Sequence, residues 1–373
     1  MARGLITVMA VALLAGCGPG SAGPGSEERP FVMTEQARFD EPWAVSFLPG
    51  TNWLAVTERS GTLWLRDQSA GTLVQVDGAP QVFDSGQAGL GDVIPGQYFT
   101  EDQQIYLSWS EEGVGGVGAA VGRATLQTSG ANASLQDLEV IWRQSPKVSG
   151  DGHLSQRLAL SPDGRHLFVT SGDRQKFAPA QDLSNTLGTI VRLNPDGTPA
   201  AGNPFESLGG VSAEIWSYGH RNPLGIAFDA DANLWSTEMG PQGGDELNLI
   251  VPGANYGWPL ASNGSHYGGG DIPDHVVSSD GFEAPRLWWT PSISPGSLMI
   301  YQGEMFASWQ GDAFIGALSG EALIRVDLAD GTAQEADRWA MDERIRAVAE
   351  GPDGSIWLLE DAGSGRLLQL TAP

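Results

Sequence analysis

The sequence predicts an all-β chain folded as a six-bladed β-propeller, and three observations carry that reading. Helical periodicity is scarce, whereas short alternating or apolar runs bounded by Gly, Pro, Asp and Asn occur throughout. One phrase then recurs: a small apolar run, a Pro/Asp/Gly turn, and a strand with an aromatic near its start. It reads clearly at Ser46–Thr57 (SFLPGTNWLAVT), Leu160–Thr170 (LSPDGRHLFVT), Phe228–Thr237 and Glu350–Leu359, and more loosely at Ile94–Ser108 and Met305–Leu318. Six copies across residues 31–373 leave roughly 60 residues per unit, which suits a four-stranded blade with long loops. Thirdly, the 51 glycines supply the positive φ that many tight turns demand. A β-sandwich would show closer, more uniform spacing and no repeated phrase. The 13 tryptophans are expected to pack between blades.

The first 16 residues read as an export signal and are set apart from the fold. Arg3 is followed by an apolar run at 5–14 (LITVMAVALL), too short to span a bilayer as a helix. Leu14-Ala15-Gly16-Cys17 then forms a lipobox, so Cys17 is expected to be lipidated and to become the mature N-terminus. It is the single cysteine, which rules out an intramolecular disulfide and argues against a thiol nucleophile. Residues 17–30 are rich in Gly, Pro and Ser and read as a flexible tether, leaving 31–373 as one domain. Gly18 in place of Asp favours outer-membrane sorting, hence a periplasmic, lipid-anchored location.

Charge narrows the partners. The net charge is −25, from 45 acidic against 20 basic residues. That excludes nucleic acid, which needs a basic stripe, and means that any anionic ligand must be held by local arginines against the global field. No Walker or dinucleotide fingerprint is placed between a strand and a helix, no Gly-x-Ser-x-Gly elbow occurs, and His and Cys do not cluster as zinc ligands.

Of the five histidines, His166 reads as structural, and His266 and His275 as exposed loop residues. His153 lies in Ser149-Gly-Asp-Gly-His153 before a blade strand, a glycine-flanked and exposed setting suited to proton abstraction. His220-Arg221-Asn222 puts three polar side chains in a row, which is costly unless they are paired or bind a ligand. The Gly-rich loop Glu238–Glu246, followed by Asn255-Tyr256-Gly257-Trp258-Pro259, offers carboxylates and freed carbonyls to a hard cation such as Ca²⁺.

GHRNP (219–223), GPQGGDELN (240–248), GANYGWP (253–259) and DLSNTLGTIVRLNPDGTPAAGNPF (182–205) occur in an order that resembles the glucose/sorbosone dehydrogenase family, whose fold is a six-bladed propeller and whose aldose sugar dehydrogenases use pyrroloquinoline quinone (PQQ) and Ca²⁺. The resemblance implies His153 as catalytic base with Asp173 as its partner, and Gln87, Arg221, Asn222, Arg344 and Arg346 as PQQ contacts. It implies that the carbonyls of Gly240 and Pro241 hold the Ca²⁺ that touches PQQ, and that Glu246 and the Tyr256 main chain serve a second, structural Ca²⁺. The implied reaction oxidises an aldose at its anomeric carbon to a lactone and passes electrons to an external cytochrome or quinone. One departure stands out: where relatives often carry a PQQ-contacting Lys, this chain reads Ser319. Two alternatives remain: a cofactor-free propeller that binds a carbohydrate or protein partner, and a Ca²⁺-dependent lactonase, which would leave Arg344 and Arg346 without a purpose.

Overall fold

The computed structural model describes residues 29–276, 279–329 and 331–373. The export signal and Cys17 lie outside the described residues, as does nearly all of the tether. Among the described residues helix is confined to one turn, Phe99–Asp102, and four short 3-10 segments. None of these is long and apolar enough to cross a membrane.

The strands form four sheets of four, one of eight, and a two-stranded ribbon. The eight-stranded sheet is two four-stranded groups joined where Val76 and Asp77 pair in parallel with Ala133 and Ser134. Gly78, at φ 83°, follows that junction, and a Cβ there would stand 2.9 Å from the Leu135 carbonyl. Each recurrent sequence phrase is the hairpin between the first two strands of a group, such as Pro42–Phe47 with Trp53–Glu58 or Ser155–Leu160 with Leu167–Ser171. The first strands are Pro42–Phe47, Leu90–Pro95, Ser155–Leu160, Pro223–Phe228, Pro295–Ile300 and Ile345–Glu350. Each packs against the next, and the last packs against the first, so they make a closed inner ring. The N-terminal strand Val32–Phe39 pairs antiparallel with Gly365–Thr371. This contact ties the two ends of the folded body together and covers a sheet edge.

Apolar cores fill the spaces between neighbouring four-stranded groups, as in the cluster of Leu65, Val93, Leu107 and Trp109. Trp309 packs in another of these cores, stacked on Phe306 with ring centroids 4.3 Å apart. Tryptophan is not confined to this packing, because Trp43 and Trp258 belong to the site.

The inner ring has one repeated irregularity. Every first strand shifts register against its second strand near its start, at Trp43, Gly91–Asp92, Gln156–Arg157, Leu224, Gly296 and Arg346. Such bulges re-aim side chains. They also free backbone groups, which hydroxyls on the second strand take up: Thr57 accepts from Ala44 N at 3.0 Å, Ser108 from Asp92 N at 2.7 Å and Thr170 from Arg157 N at 2.9 Å.

Candidate active site

A cavity of about 460 Å³ opens at these bulges, within the range typical of small-molecule sites. Trp43, Leu224 and Arg346 line it from bulge positions. Of the residues singled out from sequence, Gln87, Asn222, Arg344 and Arg346 line it directly. His153 is joined to its wall: the His153 N–H donates to Gln87 Oε1 at 2.8 Å, and the next two residues, Leu154 and Ser155, are lining residues.

His153 departs from the exposed setting expected of it: only 7 % of it is accessible, because the loop folds inward rather than out. Its Nδ1 lies 2.7 Å from Asp173 Oδ1, while Nε2 has no hydrogen-bond partner among the described residues. Asp173 is fully buried. It also accepts from Trp258 Nε1 at 2.8 Å and from Gln175 N at 2.8 Å. Burial pushes the Asp173 carboxyl up, but the hydrogen bonds from His153, Trp258 and Gln175 outweigh it and hold the group below the usual carboxylate range. His153 is held below the ordinary histidine value, first by burial and then by the positive charge of Arg221 and Arg174, against the pull of Asp173. The result is an imidazole with one nitrogen fixed by Asp173 and one open. Six of the thirteen non-glycine residues with positive φ fall in the two segments that build this dyad: His153, Ser155, Gln156, Arg174, Gln175 and Phe177. Backbone strain of this kind concentrates at functional sites.

The His220-Arg221-Asn222 segment divides. His220 is fully buried and turns away from the cavity. Its Nδ1 is 2.9 Å from Glu238 Oε2, its Nε2 is 2.8 Å from Ser217 Oγ, and its ring stacks on Tyr256 at 4.5 Å. Arg221 donates its backbone N–H to Glu238 and Nη1 to the Met239 carbonyl at 3.0 Å. Its buried Nε has no partner among the described residues, and its guanidinium lies 5.3 Å from the Trp258 ring and 5.8 Å from that of Tyr267. Asn222 accepts from Ser155 Oγ at 3.1 Å.

Arg344 and Arg346 share a partner that sequence reasoning missed. Arg344 Nε is 2.8 Å from Asp361 Oδ2, and Arg346 Nη2 is 2.8 Å from Asp361 Oδ1. Asp361 lines the cavity with them. Arg59 was also missed: it adds a third guanidinium to the wall and is paired with Glu41 at 2.6 Å and Asp84 at 2.8 Å. Ser319 stands behind Ser294, a cavity-lining residue, and donates to its Oγ at 2.8 Å.

The candidate cation loop, Glu238–Glu246, includes Met239, itself a lining residue. The carbonyls of Gly240, Pro241 and Tyr256 accept no hydrogen bond among the described residues, while Gly240 N is tied to Asp245 Oδ1 at 2.8 Å. Glu246 is buried beside Glu238 and Asp245, and burial followed by that like charge pushes its carboxyl up. The buried Asn248 Oδ1 has no partner among the described residues. His275, expected to be exposed, has only 2 % of its side chain accessible and lies 3.8 Å from Glu246 Oε1. Among the described residues no three His, Cys, Asp or Glu side chains converge as a ready metal centre. The oxygen donors of this loop, its main-chain carbonyls included, are of the kind suited to Ca²⁺ and unsuited to zinc.

The sequence profile of the Glucose / Sorbosone dehydrogenase family matches residues 39–369. The chain is 38 % identical over 347 residues to an aldose sugar dehydrogenase of Escherichia coli (strain K12), covering 91 % of this chain and 92 % of that protein. It is similar in structure to the apo form of the soluble aldose sugar dehydrogenase from Escherichia coli, with a TM-score of 0.86 at 37 % identity over 92 % of this chain and 100 % of that one. A PQQ-bound aldose sugar dehydrogenase from Streptomyces coelicolor aligns with a TM-score of 0.76 at 27 % identity, over 94 % of this chain and 99 % of that one.

Proposed function

The chain belongs to the glucose/sorbosone dehydrogenase family, and from that premise we propose that it is a PQQ-dependent enzyme that oxidises aldoses at the anomeric carbon to lactones. The observation that carries this reading is the His153–Asp173 dyad, open at one ring nitrogen, beside a cavity walled by Arg59, Arg344 and Arg346. In this reading the six four-stranded groups are six blades about one axis, and 31–373 is a single domain.

The residues present fit the cofactor. Three guanidinium groups answer its carboxylates, and the unpartnered Arg221 Nε offers a donor for a carbonyl oxygen. The free carbonyls of Gly240 and Pro241 suit one Ca²⁺. Glu246, the orphaned Asn248 Oδ1 and the Tyr256 carbonyl suit a second. When bound, PQQ supplies the hydride acceptor and Ca²⁺ the Lewis acid that polarises it. His153 Nε2 takes the proton of the anomeric hydroxyl. Asp173 orients the imidazole and stabilises the imidazolium that forms during transfer. Asn222, tied to Ser155, and Gln87, tied to the His153 main chain, keep cavity wall and base in register.

The lipobox at Cys17 supports a periplasmic protein anchored by lipid, with Gly18 favouring the outer membrane, and an electron acceptor outside the fold, a cytochrome or quinone. Reconstitution with PQQ and Ca²⁺, followed by dye reduction with a panel of aldoses, is expected to show activity. Silence with every sugar despite bound PQQ would sink the proposal. Ser319 in place of a lysine motivates the second reading, a cofactor-free binder of a carbohydrate or protein partner, for which calorimetry would show no uptake of PQQ at micromolar concentration.

A further inference from the structure

The six inner strands converge on one side chain that the proposed chemistry does not use. Arg157 sits at the bulge of Ser155–Leu160 and is buried. Its guanidinium carbon lies 3.9 Å from the Trp43 ring centroid, and its Nη1 is 3.6 Å from Asp92 Oδ1. Nε donates to the Leu224 carbonyl at 2.9 Å, and Nη2 to the carbonyls of Gly296 at 2.6 Å and Arg346 at 3.3 Å. Trp43, Asp92, Leu224, Gly296 and Arg346 belong to the five other inner strands, one each, and every one lies at its strand's register shift. The fit is close: a Cβ on Gly296 would stand 2.9 Å from the Arg346 carbonyl. A planar fork reaches three carbonyls and a carboxylate at once, which a lysine ammonium does not.

Three of these contacts, Trp43, Leu224 and Arg346, line the cavity, whereas Arg157 does not. It therefore lies beneath the floor, a cation opposed only by Asp92 among its direct contacts. In a chain of net charge −25, a buried cation at this point adds a local positive field to a cavity meant for an anion.

We propose that Arg157 is a positioning residue for anion binding: it sets the cavity floor through Trp43, Leu224 and Arg346, and its charge, tuned by Asp92, draws a carboxylate-bearing cofactor onto that floor. The proposal rests on the PQQ reading. The test is titration of the purified apo-protein with PQQ, followed by absorbance at several salt concentrations well below the melting temperature. Arg157→Lys is expected to weaken binding roughly tenfold. Arg157→Gln should weaken it further and flatten the salt dependence, since one cation is gone. Asp92→Asn has the opposite sign, with binding several-fold tighter and more sensitive to salt. If both Arg157 variants melt earlier but bind with wild-type affinity and salt dependence, Arg157 is only a brace and the proposal falls. Should the Arg157 variants fail to fold, Asp92→Asn decides: tighter binding supports the proposal, and unchanged or weaker binding overturns it. Wild-type protein that takes up no PQQ overturns the functional reading and this proposal together, whereas normal wild-type binding with unresponsive variants overturns this one alone.

Discussion

His153 and His220 are both buried, and each presents Nδ1 to a carboxylate, at 2.7 Å to Asp173 and 2.9 Å to Glu238. Their other nitrogens differ. His220 Nε2 is bonded to Ser217, and its ring is covered by Tyr256. His153 Nε2 has no partner among the described residues and stands beside a cavity whose wall shares its own backbone. The carboxylate is common to both, so a histidine–acid pair is no signature of catalysis. The open nitrogen and the positive-φ backbone that presents it are what distinguish His153 from the closed His220. His220 instead closes the network that orients Arg221, because its partner Glu238 also accepts the Arg221 N–H.

The largest effect that would break this comparison is expected at His153. His153→Gln should lower kcat/KM by roughly 10²- to 10⁴-fold, the usual worth of general-base help, with PQQ uptake retained. A loss below tenfold in steady-state kinetics would make the two histidines equivalent. Next is Asp173→Asn, which removes one charge-assisted hydrogen bond of roughly 1.5–3 kcal/mol and should cost about one to two decades in kcat.

The same variant sharpens the pH dependence. The proposed mechanism needs a neutral base, so activity is expected to fall as pH drops through the His153 pKa, which lies below the ordinary histidine value. Asp173 raises that pKa, so its removal should move the acid limb of the profile to still lower pH. Stability follows a separate sign. The depressed Asp173 pKa stabilises the fold above the unfolded value of about 3.9, and this contribution is lost as pH falls through the folded value. Acid unfolding of Asp173→Asn, monitored by circular dichroism, should therefore lack that component.

A smaller effect is expected from Ser319→Lys, which restores a cation at the cavity side alone. PQQ affinity should rise about tenfold, at the low end for a charge-assisted contact, and calorimetry checks it. His220→Leu should have the smallest effect on catalysis, within about twofold in kcat at low temperature. It should nevertheless lower the melting temperature by several degrees, since it leaves Glu238 short of a partner in the interior. A collapse of kcat without loss of stability would assign His220 to the chemistry after all.

Much of this molecule was legible locally. The six recurrent phrases are the six inner hairpins because turn chemistry and strand alternation act within about ten residues. Asn222 stood out as part of a polar run, Gln87, Arg344 and Arg346 only through the family resemblance, and all four line one cavity. The failures share a cause. His153 and His275 were read as exposed from glycine-rich surroundings, yet loop composition says nothing of the direction in which a loop folds. Asp361 and Arg59 were passed over because an acid or arginine beside a strand is ordinary until its partners are known.

Taken alone, the amino-acid order determined the strand content, the repeat, the short tight turns, the acidic balance, and the motifs that mark the family. Tertiary structure alone decided which histidine is open, that Asp361 binds both arginines, and that Arg157 touches every other inner strand. The physical reason is separation along the chain. His153 meets Gln87 across 66 residues, Asp173 meets Trp258 across 85, and Arg157 meets Arg346 across 189. Local propensity acts on neighbours, and only closure of the inner ring brings these distant groups within hydrogen-bond reach.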